Sequence, residues 1–232
     1  MRRSLPLLAL ATFLLASLAA SAQSPPKREM RGAWIATFGG IDWPNPAHTP
    51  ARQRDSLIVI LDRHKATGIN TIYFQVRSQC DAMYPSTIEP WSKDLTNVQG
   101  NPPSTMWDPL QFAIDECRKR GMELHAWLNP YRALSSNTTT NYNALAASHV
   151  AKQHPEWLIT STTPNQLILD PGIPDVREYV TKVVMDIVRR YDVDGIHFDD
   201  YFYPNATYND DATFAAYPNG YSVRADWRRN NV

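Results

Sequence analysis

"INTIYFQVR", residues 69–77, alternates in chemistry: Ile72, Phe74 and Val76 fall on one side, Tyr73, Gln75 and Arg77 on the other. Successive side chains of a strand point to opposite faces, so this stretch reads as a strand with one apolar face and one polar, aromatic face. The pattern recurs along the chain. "MELHAWLNP" (122–130) sets Leu124, Ala126 and Leu128 against His125, Trp127 and Asn129, and "DVDGIHFDDYFYP" (192–204) sets Ile196 and Phe198 against His197, Asp199 and Tyr201. "MRGAWIAT" (30–37) and "NQLILDPG" (165–172) complete five predicted strands. Amphipathic helices are predicted between them. One runs from about Ala51 to Thr67-Gly68 and carries Leu57, Ile58, Ile60 and Leu61. A second is capped by Asp108 with Pro109 in its first turn and carries Leu110, Ala113, Ile114 and Cys117. A weaker one lies around 142–153, and a long one spans Pro174–Tyr191.

Strands alternating with helices indicate parallel βα units. A doubly wound open sheet is the rival, and it favours continuous apolar strands and a glycine-rich phosphate turn after the first strand. Strands that alternate, with a polar face growing more polar toward the carboxyl end, favour a TIM (β/α)8-type barrel. Such a barrel takes about 250 residues. Only five units are legible, so residues 29–232 are expected to be a barrel domain incomplete at its C-terminus. Residues 1–22, with Arg2, Arg3, a leucine-rich stretch and Ala20-Ser21-Ala22, read as a signal peptide, and 23–28 as a linker. A membrane anchor is disfavoured because the apolar stretch is short and broken by Pro6 and Ser17. The expected location is secreted or periplasmic.

The chain carries 23 basic and 23 acidic residues, so no electrostatic partnership with nucleic acid or membrane is indicated. Its two cysteines, Cys80 and Cys117, fall on a loop and a helix face and read as separate thiols at least as readily as a bridge. Neither has a ligand-spaced partner, and no metal or cofactor is expected.

In a barrel the catalytic groups sit at the carboxyl ends of the strands. The candidates there are Trp34; Gln75 and Arg77; Trp127 and Asn129; Asp170; and His197, Asp199 and Tyr201. His125, deeper in its strand, reads as filling of the interior. Asp199 shares the inner face with His197, and a buried carboxylate needs a partner or a task. Asp200 points away if the strand continues and joins the pocket if it bulges at Asp199. Trp43, Trp91, Trp107 and Trp157 lie in loops, and as a cluster they suit the apolar face of a sugar ring; packing onto the barrel is the bland reading for each.

"RGAWIATFGGIDWP", "GINTIYFQVRSQCDAMYPS", "LHAWLNPYR" and "VDGIHFDDYFYP" together resemble glycosyl-hydrolase-like family ten, the bacterial domain of unknown function 187 group. The resemblance implies an exported TIM-barrel glycoside hydrolase, with members cleaving peptidoglycan glycan strands that have lost their stem peptides. It also implies Asp199 as the catalytic carboxylate, with Gln75, Arg77, Trp127 and Asn129 in pocket motifs.

Glycoside hydrolysis ordinarily uses two carboxyl groups, about 5–5.5 Å apart for retention and 6.5–9.5 Å for inversion. Asp199 is the first; the second is open between Asp200, Asp170 and a residue outside the legible units. Substrate-assisted attack by an N-acetyl group needs only one. The expected substrate is an N-acetylhexosamine-containing glycan such as a peptidoglycan strand, with Arg77 and Asn129 binding sugar and His197 tuning Asp199. The rivals are a metal-dependent hydrolase or deacetylase built from His125, His197, Asp199 and Asp170, and a glycan-binding module that does not cleave.

Overall fold

The computed structural model describes residues 29–162, 165–199, 202–203 and 208–232, with 161–162 by backbone alone. The predicted signal peptide and linker, together with Asp200 and Tyr201, lie outside the described residues. The elements in chain order are β1 (Gly32–Ile35), α1 (Pro50–Ala66), β2 (Thr71–Arg77), α2 (Lys93–Thr96), α3 (Pro109–Lys119), β3 (Glu123–Leu128) and β4 (Arg132–Leu134). They continue with α4 (Thr139–Asn143), α5 (Val150–Gln153), β5 (Leu158–Thr162), β6 (Asn165–Leu169), α6 (Pro174–Arg190), β7 (Gly195–Phe198), α7 (Asp211–Ala216) and α8 (Arg224–Asn230).

β1, β2, β3 and β7 form one parallel sheet in that order. The strand order never reverses, whereas a doubly wound sheet turns back at a switch point. One face is apolar. Ile35, Ile72, Phe74, Val76, Leu124, Ala126 and Leu128 are buried in a single cluster with Leu57 and Leu61 of α1, Leu110, Ile114 and Cys117 of α3, and Val183 and Ile187 of α6. All three long helices therefore cover the same face of the sheet, which is the single winding of a (β/α) barrel. Each fully buried aliphatic chain contributes about 1.5–3 kcal/mol.

The helix boundaries follow local chemistry. Thr49 caps α1 by accepting from the Arg52 N–H, and Pro50 takes the first position, one residue ahead of the expected start. Asp108 caps α3 through the Leu110 and Gln111 N–H groups, as its spacing predicts. The helix expected around 142–153 is two short ones, α4 and α5, with His149 capping the second.

The fourth expected barrel strand is corrected. "NQLILDPG" supplies β6, which pairs antiparallel with β4 and β5 in a separate three-stranded sheet between β3 and α6. The described parallel sheet thus has four strands, not five. Leu167, Ile168 and Leu169 are all buried, because Leu167 and Leu169 pack into one cluster while Ile168 packs with Ile159 and Tyr208 on the other side. A short continuous apolar run reads as a buried strand without showing which sheet buries it.

The first part of the connection from Ser78 to Asp108 is packed, whereas most of residues 97–106 are exposed. Ser78 through Tyr84 are all buried, and Trp43 and Trp107 meet edge to face with their rings 6.0 Å apart. Cys80 and Cys117 are separate, buried thiols, and burial pushes each up to about 12.

The second face of the sheet is aromatic. Tyr73 lies 5.3 Å from His125 and 4.6 Å from His197, centre to centre. These rings press on the backbone where side chains are absent: a Cβ on Gly32 would sit 2.5 Å from Tyr73, and one on Gly195 2.6 Å from His125 Nδ1. Gly195→Ala is expected to cost on the order of 1–3 kcal/mol through this overlap. The cost should shrink in a His125→Ala background, a coupling read from urea midpoints of the four chains in the cycle.

Candidate active site

The inner face carries a graded set of groups toward the carboxyl end. Register pairs Trp34 with Tyr73, Gln75 with Trp127, and Trp127 with His197. Asp199 follows the end of β7 and is half-buried. Its two oxygens receive different donors: the Asn129 Nδ2–H group at 2.9 Å on Oδ1 and the Trp127 indole N–H at 3.3 Å on Oδ2. The alternation of β3 and β7 therefore brings Trp127, Asn129, His197 and Asp199 to one place, as the sequence indicates.

Asn129 is aimed by its own backbone surroundings. Its Oδ1 accepts the N–H groups of Tyr131 and Arg132, at 3.2 and 2.8 Å, so its amide nitrogen is the end left for Asp199. Its carbonyl accepts from Arg77 Nη1.

Arg77 and Gln75 occupy different positions from those expected. Arg77 is only 1 % exposed and grips Glu89: Nε donates to both carboxylate oxygens at 3.0 and 2.8 Å, and Nη2 donates to Oε1 at 2.6 Å. Glu89 also takes the Tyr179 hydroxyl of α6 at 2.9 Å. Arg77 is thus a support for Asn129 and has no face left for sugar. Gln75 is likewise buried, its Oε1 holding the N–H groups of Thr37 and Phe38 at 2.9 Å and so shaping the loop after β1. Alternation places Gln75 on the inner face beside Trp127, the register shifts before Arg77, and neither partner is visible in the strand pattern.

Trp34 is 59 % exposed, and its indole N–H donates to His197 Nε2 at 3.1 Å. That bond requires a lone pair on Nε2, so His197 is neutral here. Burial is the main reason its pKa lies below the ordinary histidine range; Asp199 opposes the shift and His125 adds to it. His125, packed against Tyr73, fills the interior as expected.

Asp170 lies elsewhere. It follows β6, is buried, and accepts from the Gly172 N–H at 2.8 Å and the Thr213 hydroxyl at 2.5 Å beside α7. Burial raises its pKa. It follows a strand of the antiparallel sheet and not one of the parallel strands that carry Asn129 and Asp199. The loop tryptophans also separate: Trp43 and Trp107 are core, Trp91 packs against that core, and Trp157 stacks on His154 at 3.8 Å. They form no sugar platform, and the bland packing reading prevails. Among the described residues no three His, Cys, Asp or Glu side chains converge as metal ligands, so the set proposed for a metallohydrolase is not assembled.

One residue escaped the sequence reading. Arg132, three after Asn129 in "LNPYR", stands close enough to Asp199 for their charges to interact, with its guanidinium over the Phe38 ring at 5.0 Å. Its signal was a basic residue at a strand end, masked by the turn at Pro130.

The family model described as glycosyl hydrolase-like 10 matches residues 29–232. The chain belongs to that family. Glycosyl hydrolase DigH of Escherichia coli (strain K12) is 41 % identical over 220 residues, covering 88 % of this chain and 49 % of the relative. Glycosyl hydrolase YngK of Bacillus subtilis (strain 168) is 40 % identical over 237 residues, covering 99 % and 45 %. The chain thus spans about half the length of these relatives. A hypothetical protein of Ruminiclostridium thermocellum superposes with a TM-score of 0.51 at 14 % identity, over 76 % of this chain and 82 % of that one, a likeness of fold. In this glycosyl hydrolase-like chain no described helix is long and apolar enough to cross a membrane.

The lowered His197 pKa has a thermodynamic sign. The unfolded chain takes the proton more readily than the folded one, so the contribution of neutral His197 is complete above the unfolded value of about 6.5 and is lost as pH falls toward the folded value. Urea midpoints measured between pH about 7 and 5 should fall less steeply for His197→Phe than for the wild type.

Proposed function

We propose that this chain is the catalytic part of a glycoside hydrolase acting on an N-acetylhexosamine-containing glycan of the bacterial cell wall, with Asp199 as its principal carboxylate. The observation that carries the reading is the placement of Asp199 at the carboxyl end of a parallel barrel strand, with hydrogen-bond donors on both of its oxygens and an exposed indole, Trp34, on the same inner face. Membership in a glycosyl hydrolase-like family and the names of the relatives support it.

The donors define the role. Hydrogen bonds to a carboxylate favour its charged form, and the Arg132 cation acts in the same direction. A carboxylate held ionised serves as nucleophile or base at the anomeric centre, and equally stabilises the positive charge that grows there in an oxocarbenium-like transition state. Protonation of the leaving oxygen then falls to a second carboxyl group, for which Asp200 is the neighbouring candidate in the sequence. Asn129 and Trp127 hold the Asp199 oxygens in place, which keeps the attack geometry without reorganisation. Neutral His197 adds no competing positive charge to that face. Trp34 and Trp127 offer the flat apolar surface that stacks on a sugar ring. Tyr201 remains a proposed substrate contact from its position two residues after Asp199. Export follows from the amino-terminal signal pattern, and is part of the same proposal.

The test is mass spectrometry of products from peptidoglycan glycans stripped of their stem peptides, incubated with the wild-type chain and with Asp199→Asn. Wild type is expected to release fragments and the variant to be slower by about 10²–10⁴-fold, the range for removing a positioned acid or base. Equal release by both would remove Asp199 from the mechanism; binding of the glycans with no release by the wild type would make the chain a glycan-binding module.

A further inference from the structure

His149 caps the short helix α5 and is wholly buried. Its two ring nitrogens have different partners. Nδ1 accepts the Ala151 N–H at 3.1 Å, and Nε2 lies 2.9 Å from the Gln79 carbonyl. An N–H only donates and a carbonyl only accepts, so Nδ1 carries a lone pair, Nε2 carries the proton, and the ring is neutral. A proton arriving at Nδ1 therefore breaks the bond to Ala151.

Gln79 stands in the connection after β2 and Ala151 in the excursion between β3 and α6, so the ring ties the two together. A second tie runs beside it: the Gln99 amide nitrogen donates to Asp81 Oδ2 at 3.3 Å, and its oxygen accepts the Ala146 N–H at 3.0 Å. The Tyr142 hydroxyl donates to the Ala151 carbonyl at 3.0 Å and so links α4 to α5. The held segment lines a cleft of about 180 Å³, with Asn141, Ala144 and Leu145 on the excursion and Phe38, Gln79 and Lys93 on the loops after β1 and β2.

Charged groups act on the ring from the connection and the end of β2. Asp81 and Glu89 favour its cation, and Arg77 opposes it. Asp81 is itself buried beside Asp94 of α2. From β6 and α6 the groups packed around α5 are apolar, Leu167, Leu169, Val176 and Val180, together with Cys80, Tyr131 and Tyr179, which burial keeps uncharged. Lys152 of α5 turns to the Tyr142 ring, 4.0 Å away. Burial prevails over the Gln79 carbonyl and the two carboxylates, and holds the His149 pKa below the ordinary histidine value. An opened chain takes the proton more readily, so the tie is complete above about pH 6.5 and weakens as pH falls below it. Asp81 works in the opposite direction, because burial raises its pKa and the closed chain keeps its proton to a higher pH.

We propose that His149 is an acid-sensitive latch that fastens residues 139–153 to the connection after β2 and so sets how far the loop cleft opens. The inference stands apart from the glycan reading: it concerns how the rim of the cleft is held, whatever enters it.

The test is hydrogen exchange read by mass spectrometry on the wild-type chain and on His149→Asn, whose side chain caps a helix without titrating. Protection of residues 144–154 is measured at pH about 7.5 and about 5.5, each corrected for the intrinsic exchange rate, to span the titration of an open-state histidine. Wild-type protection relative to the variant is expected to fall by about three- to tenfold over that interval, while α3 changes equally in both chains. A ratio that does not move with pH overturns the latch, and so does an equal relative fall in α3, which reports global unfolding. Asp81→Asn removes the opposing titration, and the fall should persist in that chain. Imidazole nitrogen chemical shifts of the wild type read the ring directly, whether or not the variant folds. A neutral ring with its proton on Nε2 is expected at the higher pH; a charged ring, or one protonated on Nδ1, overturns the proposal.

Discussion

The buried pair between Arg77 and Glu89 is the interaction on which the rest of the inner face depends. Taking two charges out of water costs several kcal/mol per ion, and the attraction offsets this only where the geometry is good and the remaining donors are satisfied. Here each guanidinium nitrogen has an acceptor: the carboxylate meets the guanidinium through both oxygens and also takes the Tyr179 hydroxyl, while the last guanidinium nitrogen reaches the Asn129 carbonyl. One charge pair thereby joins the end of β2, the packed connection after it, the end of β3 and the long helix α6. The backbone at Asn129 is pinned from below, its side chain oxygen is pinned by two N–H groups, and its amide nitrogen points at Asp199 as a result.

The parallel sheet divides its work between its two sides. The outer side holds stability, in an aliphatic layer shared with three helices. The inner side is built from rings and polar tips, with Tyr73, His125, His197, Trp34 and Trp127 in mutual contact. Such a side is a poor core, because each ring brings a nitrogen or hydroxyl that wants a partner. The Trp34 to His197 bond supplies one such partner across the sheet from its first strand to its last. What remains toward the carboxyl end is chemistry rather than packing.

Much of this was legible in single stretches. Alternation in 69–77, 122–130 and 192–204 gave the strands, their faces and the meeting of Trp127, Asn129, His197 and Asp199, because a two-residue period is a local property. Cap residues such as Asp108 were legible for the same reason. The consumption of Arg77 by Glu89, twelve residues on in a connection with no periodic signal, was not, nor was the seating of Gln75 under the loop at Thr37. Gln75 pairs in register with Trp127 of the inner face, the register shifts between Gln75 and Arg77, and both side chains are spent before they reach the surface. The strand 165–169 misled because a short apolar run suits any strand buried on two sides, parallel or antiparallel, and one of its two partners, Arg132–Leu134, is only three residues long. Tryptophan in a loop misled in another way: Trp43, in the connection after β1, and Trp107, in the connection after β2, are both core residues.

The two cysteines have a practical consequence. Each thiol is enclosed, and each is kept protonated at neutral pH by the cost of placing a thiolate in apolar surroundings. Neither presents a nucleophile to solvent while the chain is folded, so alkylation must wait for a local or global opening. Cys117 sits between α3 and the sheet, and Cys80 in the connection beneath Arg132. A thiol-reactive mass tag would therefore time the opening of the helix layer and of the loop layer separately, from within the native sequence and without an introduced label.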